Sequence, residues 1–125
     1  MRLLLDTHVF IWAVTASPQL KARTRDLLTS ADAVYVSAAS IWEIAIKSRL
    51  GKIEGEVGGF VDAIAASGFL ELPVTARHAA AVADLPLHHT DPFDRLLLAQ
   101  ALMEPLRLVT ADAVLAQYGG AIELV

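Results

Sequence analysis

The chain opens with an apolar run that stops at a carboxylate, Leu3-Leu4-Leu5-Asp6-Thr7, and the event recurs at Leu108-Val109-Thr110-Ala111-Asp112. Such runs are too short for a helix of their own and suit a strand buried on both faces. Strands of that kind belong to parallel sheets covered by helices. A carboxylate that ends one lies at the C-terminal edge of the sheet, where open α/β folds bind their ligands.

The intervening chain alternates in the same way. Residues 2–5 predict a strand, and residues 7–15 a helix with Val9, Trp12 and Ala13 at helical spacing. Ser17-Pro18 predicts the start of a second helix running to about residue 29. Residues 33–36 predict a strand, after which Ser37 or Ser40 caps a long helix that Gly51 ends. Gly55, Gly58 and Gly59 predict a loop, residues 60–67 a helix stopped by Gly68, residues 69–72 a strand and residues 75–84 a helix. Residues 85–90 predict a loop, and Pro92 to about Glu104 a helix broken by Pro105. A strand at 107–109, a short helix at 111–117 and a last strand at 121–124 complete the pattern. Strands alternating with helices imply parallel pairing through right-handed crossovers. The expected fold is a three-layer α/β/α sandwich around a short, mainly parallel sheet of four to five strands, in one domain over residues 1–125.

Composition narrows the function. The chain is 55% apolar, enough for a core with some surface left to cover a partner or a second copy. No apolar run approaches the roughly 20 residues that span a bilayer, and no secretory signal pattern is present, so a soluble cytoplasmic protein is expected. Without cysteine, thiolate metal sites, disulfides and thiol catalysis are excluded. The net charge of −4 argues against a basic nucleic-acid surface, unless divalent cations offset the acids locally. Lys21, Arg23 and Arg25 form one basic cluster and Lys47, Arg49 and Lys52 another; each suits phosphate contact or an ordinary solvated helix face.

Each acid has a structural explanation beside a functional one. Asp6 and Asp112 either cap the helices that follow or point into a site. Glu43 either pairs with Lys47 on a helix surface or reaches the sheet edge with Lys47 tempering its charge. Asp91-Pro92-Phe93-Asp94 reads as a capped helix start, with Asp91 more like the cap and Asp94 more like a ligand, since a helix N-terminus favours an ionised acid there. His88 and His89 are taken as loop or packing residues, because adjacent histidines rarely reach one ion together, and Trp12 and Trp42 as core packing. Converging carboxylates repel strongly unless a cation lies among them. An all-oxygen set suits Mg²⁺ or Mn²⁺, and two such ions activate water and stabilise the leaving oxygen of a phosphodiester.

With these residues in view, the chain resembles PIN-domain nucleases, and most the VapC-type toxins of bacterial toxin–antitoxin pairs. The resemblance rests on Leu4-Leu5-Asp6-Thr7-His8, on Ser40 to Lys47 with Gly51-Lys52 after it, on Leu72-Pro73-Val74, on the run from His89 to Ala101, which is the most specific piece, and on Leu108 to Asp112. It implies a Mg²⁺- or Mn²⁺-dependent ribonuclease using one or two ions. Asp6, Glu43 and Asp94 match the three core catalytic and metal-binding acids, and Asp112 the more variable fourth. Asp91 assists or only caps. Thr110 matches a hydroxyl position near the metals, and Arg95 and Lys47 are candidates for RNA contact. The resemblance further implies a homodimer or larger assembly, and a small antitoxin that blocks the acidic site.

Two other classes compete. A phosphoacceptor domain, receiver-like or phosphatase-like, shares strand-end aspartates and Mg²⁺. The phosphatase class needs a second aspartate two residues after its nucleophile, where this chain has His8, and a receiver needs an acidic pair at its first strand and a lysine after a late strand. A non-catalytic interaction module would use the acids only as caps and would leave Glu43 on the surface.

Overall fold

The structure, a computed structural model, describes residues 1–125. Its five strands are β1 (Arg2–Leu5), β2 (Ala33–Ser37), β3 (Leu70–Leu72), β4 (Arg107–Thr110) and β5 (Ile122–Leu124). They form one sheet in the order β3-β2-β1-β4-β5, with every neighbouring pair parallel. The helices are α1 (Thr7–Val14), α2 (Ala22–Ser30), α3 (Ala38–Arg49), α4 (Val57–Ala66), α5 (Ala76–Ala81) and α6 (Pro92–Met103). The three-layer sandwich expected from the alternation is the fold observed. No helix is long and apolar enough to cross a membrane.

Alternation along the strands divides the core in two. Leu3, Leu5, Val34, Val36 and Val109 face a cluster completed by Val9, Phe10, Ile44, Phe60 and Ile64 from α1, α3 and α4. Leu4 and Leu108 face the other way, against Leu97, Leu98, Ala101 and Leu115. β1 is central and buried on both faces, which is why its leucines run without interruption. Because all strands are parallel, Asp6, Ser37 and Thr110 arrive together at one edge.

Several boundaries differ from expectation. The second helix starts at Ala22 rather than at Ser17-Pro18. Ser17 Oγ accepts the Gln19 N–H, but Leu20 drops into the core and Lys21 is extended, so that turn does not propagate. Gly58 and Gly59 lie inside α4, not in a loop, because burying Phe60 and Ile64 draws the segment into helical register. Gly55 keeps its turn role: φ is +103° and a Cβ there would stand 3.4 Å from the Phe60 ring. The helix expected at 75–84 tightens into a 3₁₀ turn at Val82–Asp84, and the one at 111–117 is 3₁₀ over Ala113–Tyr118.

Candidate active site

Asp6 ends β1 and caps α1, and each of its oxygens has its own donor. Oδ1 accepts the Val9 N–H at 2.8 Å and Oδ2 accepts the Thr110 hydroxyl at 2.6 Å. The capping and functional explanations therefore hold together. Burial pushes this carboxyl above its usual range, with the Glu43 charge adding to the rise and both hydrogen bonds opposing it. Thr110 Oγ also accepts the Asp112 N–H at 3.0 Å, which ties the two strand-end acids to one hydroxyl.

Glu43 is buried, so the surface explanation is excluded. Oε1 accepts the Thr7 hydroxyl at 2.7 Å and Oε2 the Lys47 ammonium at 2.5 Å. Ser40 Oγ lies 3.0 Å from Thr7 Oγ1. Thr7 has one proton, which the carboxylate takes, so Ser40 donates to Thr7 in a short relay. Ser37, not Ser40, caps α3, through the Ala39 N–H at 3.0 Å.

This helix is inverted relative to a simple amphipathic reading. Its buried positions are Ala39, Ser40, Glu43 and Ile44, whereas Trp42, Ile46 and Leu50 are exposed. Trp42, expected in the core, is 61% exposed and meets Phe93 edge-on with ring centroids 5.2 Å apart. Trp12 does pack against the first core cluster. The Trp42–Phe93 contact joins α3 to the start of α6, next in sequence to Glu43 and Asp94.

At the start of α6, Asp91 Oδ1 caps the helix by accepting the Asp94 N–H at 2.9 Å. Asp94 is pushed up to about 6 by burial and by the charges of Asp91 and Asp6, against the pull of His89. Asp112 divides its oxygens as Asp6 does: Oδ1 accepts the Val114 N–H at 2.9 Å, and Oδ2 lies 3.1 Å from His89 Nε2. One ligand atom each from His89, Asp94 and Asp112 lies within 4.8 Å of the others. Asp6 and Glu43 stand outside that group; the Asp6 charge acts on Asp94, and the Glu43 charge acts on Asp6. The clustered, all-oxygen carboxylates, with Asp6 and Asp94 raised by burial and then by their neighbours' charge, fit a hard divalent cation.

The two basic candidates are engaged within the chain. Lys47 is paired with Glu43. The Arg95 guanidinium donates to the carbonyls of Val82, Leu85, Pro86 and His89 and to the Tyr118 hydroxyl, at 3.1–3.4 Å. Sequence reasoning missed Thr7, and it set His89 aside as a loop residue. The available signal for both was adjacency, Thr7 beside Asp6 and His89 within the Asp91–Asp94 motif.

A parallel sheet with carboxylates gathered at its C-terminal edge defines an α/β protein with an acidic sheet-edge site. The chain belongs to the PIN domain family, whose model matches residues 3–121. Proteins of this family are generally nucleases. No curated protein sequence matches the chain. Among solved structures it is similar to VapBC2 from Rickettsia felis bound to a promoter DNA fragment, at 17% identity and TM-score 0.70, covering 100% of this chain and 98% of that one. It is similar also to a toxin–antitoxin complex from Klebsiella pneumoniae, at 15% identity and TM-score 0.69, covering 97% and 95%. FitAcB from Neisseria gonorrhoeae shares 22% identity at TM-score 0.65, covering 98% and 96%. At these identities the likeness is one of fold.

Proposed function

We propose that the protein is a Mg²⁺- or Mn²⁺-dependent endoribonuclease acting in the cytoplasm as the toxin of a type II toxin–antitoxin pair. The observation that carries this reading is the set of carboxylates at the sheet edge, with Asp6 and Asp94 both raised by burial and by neighbouring negative charge. Acids held at that electrostatic cost, each fixed by hydroxyl, backbone or imidazole donors, are preorganised for a cation. Family membership supports a nuclease, and the similarity to VapBC2 and to the Klebsiella pneumoniae toxin–antitoxin complex supports the toxin–antitoxin setting.

In this reading Asp6, Glu43, Asp94 and Asp112 hold one or two ions, and Asp91 serves the site as the cap that aims Asp94. When bound, the ions supply Lewis acidity and a water acidified enough to attack phosphorus. Thr110 fixes Asp6 and the Asp112 backbone, while Thr7 and Ser40 orient Glu43. Lys47 tempers the negative cluster, and Arg95 acts toward RNA through the loop it holds rather than by free donors. Trp42, Ile46 and Leu50 recur at helical spacing on the open face of α3, an apolar stripe suited to the antitoxin or to a second copy.

The test is cleavage of total cellular RNA by purified, antitoxin-free protein, with Mg²⁺, with Mn²⁺ and with excess chelator. The expected result is discrete fragments that need metal and vanish in Asp6→Asn/Asp94→Asn. Folded protein that cleaves equally in chelator, or not at all with either metal, would refute the assignment.

A further inference from the structure

We propose that His89 is a positioning residue that donates its Nε2–H to Asp94, keeps Asp112 beside the same nitrogen and does not itself bind the cation. The proposal rests on the metal-dependent reading above and adds a residue to it. His89 Nε2 lies 2.9 Å from Asp94 Oδ2 and 3.1 Å from Asp112 Oδ2. Asp94 belongs to the first turn of α6 and Asp112 follows β4, so the imidazole joins acids from two different elements.

The other ring nitrogen decides the role. Nδ1 accepts the Thr90 N–H at 3.1 Å, so it is bare, and in the neutral ring the proton sits on Nε2. A ligating histidine has the opposite arrangement, with its free nitrogen donating outward to an acceptor. His89 instead directs its donor at Asp94, with Asp112 Oδ2 3.1 Å from the same nitrogen, and sets the spacing of carboxylates that would otherwise repel.

The backbone supports this placement. The N–H groups of His88 and His89 both donate to the Tyr118 hydroxyl, at 3.2 and 3.1 Å. Tyr118 in turn donates to the Pro86 carbonyl at 2.8 Å, and Arg95 donates to the carbonyls on either side of this stretch. The His88 ring packs edge-on against Tyr118 with centroids 5.0 Å apart. Tyr118 and Arg95 thus fold the loop so that the His89 ring reaches Asp94 and Asp112.

The test compares His89→Ala and His89→Gln with wild type, each confirmed folded by circular dichroism, and uses Asp94→Asn as the control for the metal site. Calorimetric titration with Mn²⁺ should show binding weakened about 10- to 100-fold in His89→Ala. His89→Gln, whose amide restores a donor at the Nε2 position, should recover most of it. Pulsed electron paramagnetic resonance of Mn²⁺ on the wild type should show no directly bound nitrogen. Unchanged affinity in His89→Ala, or a coordinated nitrogen, would overturn the proposal. Imidazole ¹⁵N resonances of the wild type should report the Nε2–H form, and an Nδ1–H form would overturn it equally. That last measurement needs no metal, so it judges His89 separately from the nuclease reading, which fails if wild type and Asp94→Asn alike bind no Mn²⁺.

Discussion

The Thr110 hydroxyl donates to Asp6 Oδ2 across 2.6 Å, joining residues 104 positions apart in the chain. Both groups are buried, and the same hydroxyl receives the Asp112 N–H. Thr110→Val keeps the shape and removes both interactions. We expect it to destabilise the protein by about 1–3 kcal/mol, the cost of leaving a buried polar partner unsatisfied, while Thr110→Ser retains most of the stability. Urea unfolding at neutral pH checks this, and equal midpoints for Val and wild type would show that the hydroxyl contributes nothing.

Glu43→Gln should separate activity from fold. The amide oxygen still accepts from Thr7, and Lys47, partly exposed, can turn to solvent. Stability should therefore stay within about 1 kcal/mol of wild type. On the proposed reading, ribonuclease activity should fall at least about 100-fold, because Glu43 would be a cation-holding acid rather than an outer partner. Full metal-dependent cleavage by a folded Glu43→Gln would remove Glu43 from the site.

Asp94 sets a pH dependence with a defined sign. Its pKa is raised from 3.8 to about 6, so between those values the folded state binds a proton that the unfolded state has released. Stability in chelator should therefore decline as pH rises from about 4 to 6, by on the order of 3 kcal/mol at about 1.4 kcal/mol per tenfold shift. Buried Asp6 shifts in the same direction. Asp94→Asn should flatten the decline and exceed wild type in stability at neutral pH. Saturating Mg²⁺ or Mn²⁺ should stabilise the wild type there, by mass action on the ionised acids. Urea midpoints measured across this range, with chelator and with metal, test both parts.

Arg95→Lys is not a conservative change here. One planar fork serves four carbonyls and a hydroxyl, and an ammonium cannot reproduce that geometry. Amide exchange in residues 85–90 should accelerate while the strands remain protected. Unaltered exchange in that loop would mean that Tyr118 alone holds it.

Much of the architecture was legible in the chain. Period and punctuation place all five strands, because β1 and β4 are buried on both faces and read as unbroken apolar runs. The capping acids were legible too, since Asp91-Pro92 is a local signal and Asp91 does cap α6. Less legible were segments where burial competes with local preference: Leu20 ends the turn begun at Ser17, and Phe60 pulls two glycines into α4. Trp42 and Glu43 are the sharpest case. Hydrophobicity alone puts the tryptophan inside and the glutamate outside, and the fold reverses them.

What the sequence by itself determined is the set of elements, their parallel pairing and the location of acids at strand and helix ends, because these follow from short-range periodicity and backbone hydrogen-bonding needs. Only the tertiary structure decided which side chains meet at the site. Thr7, held by Ser40, reaches Glu43, Thr110 reaches Asp6, and His89 lies between Asp94 and Asp112, across separations of up to 104 residues. Those contacts depend on strand order and on which helix face the core accepts, and no local pattern encodes either one.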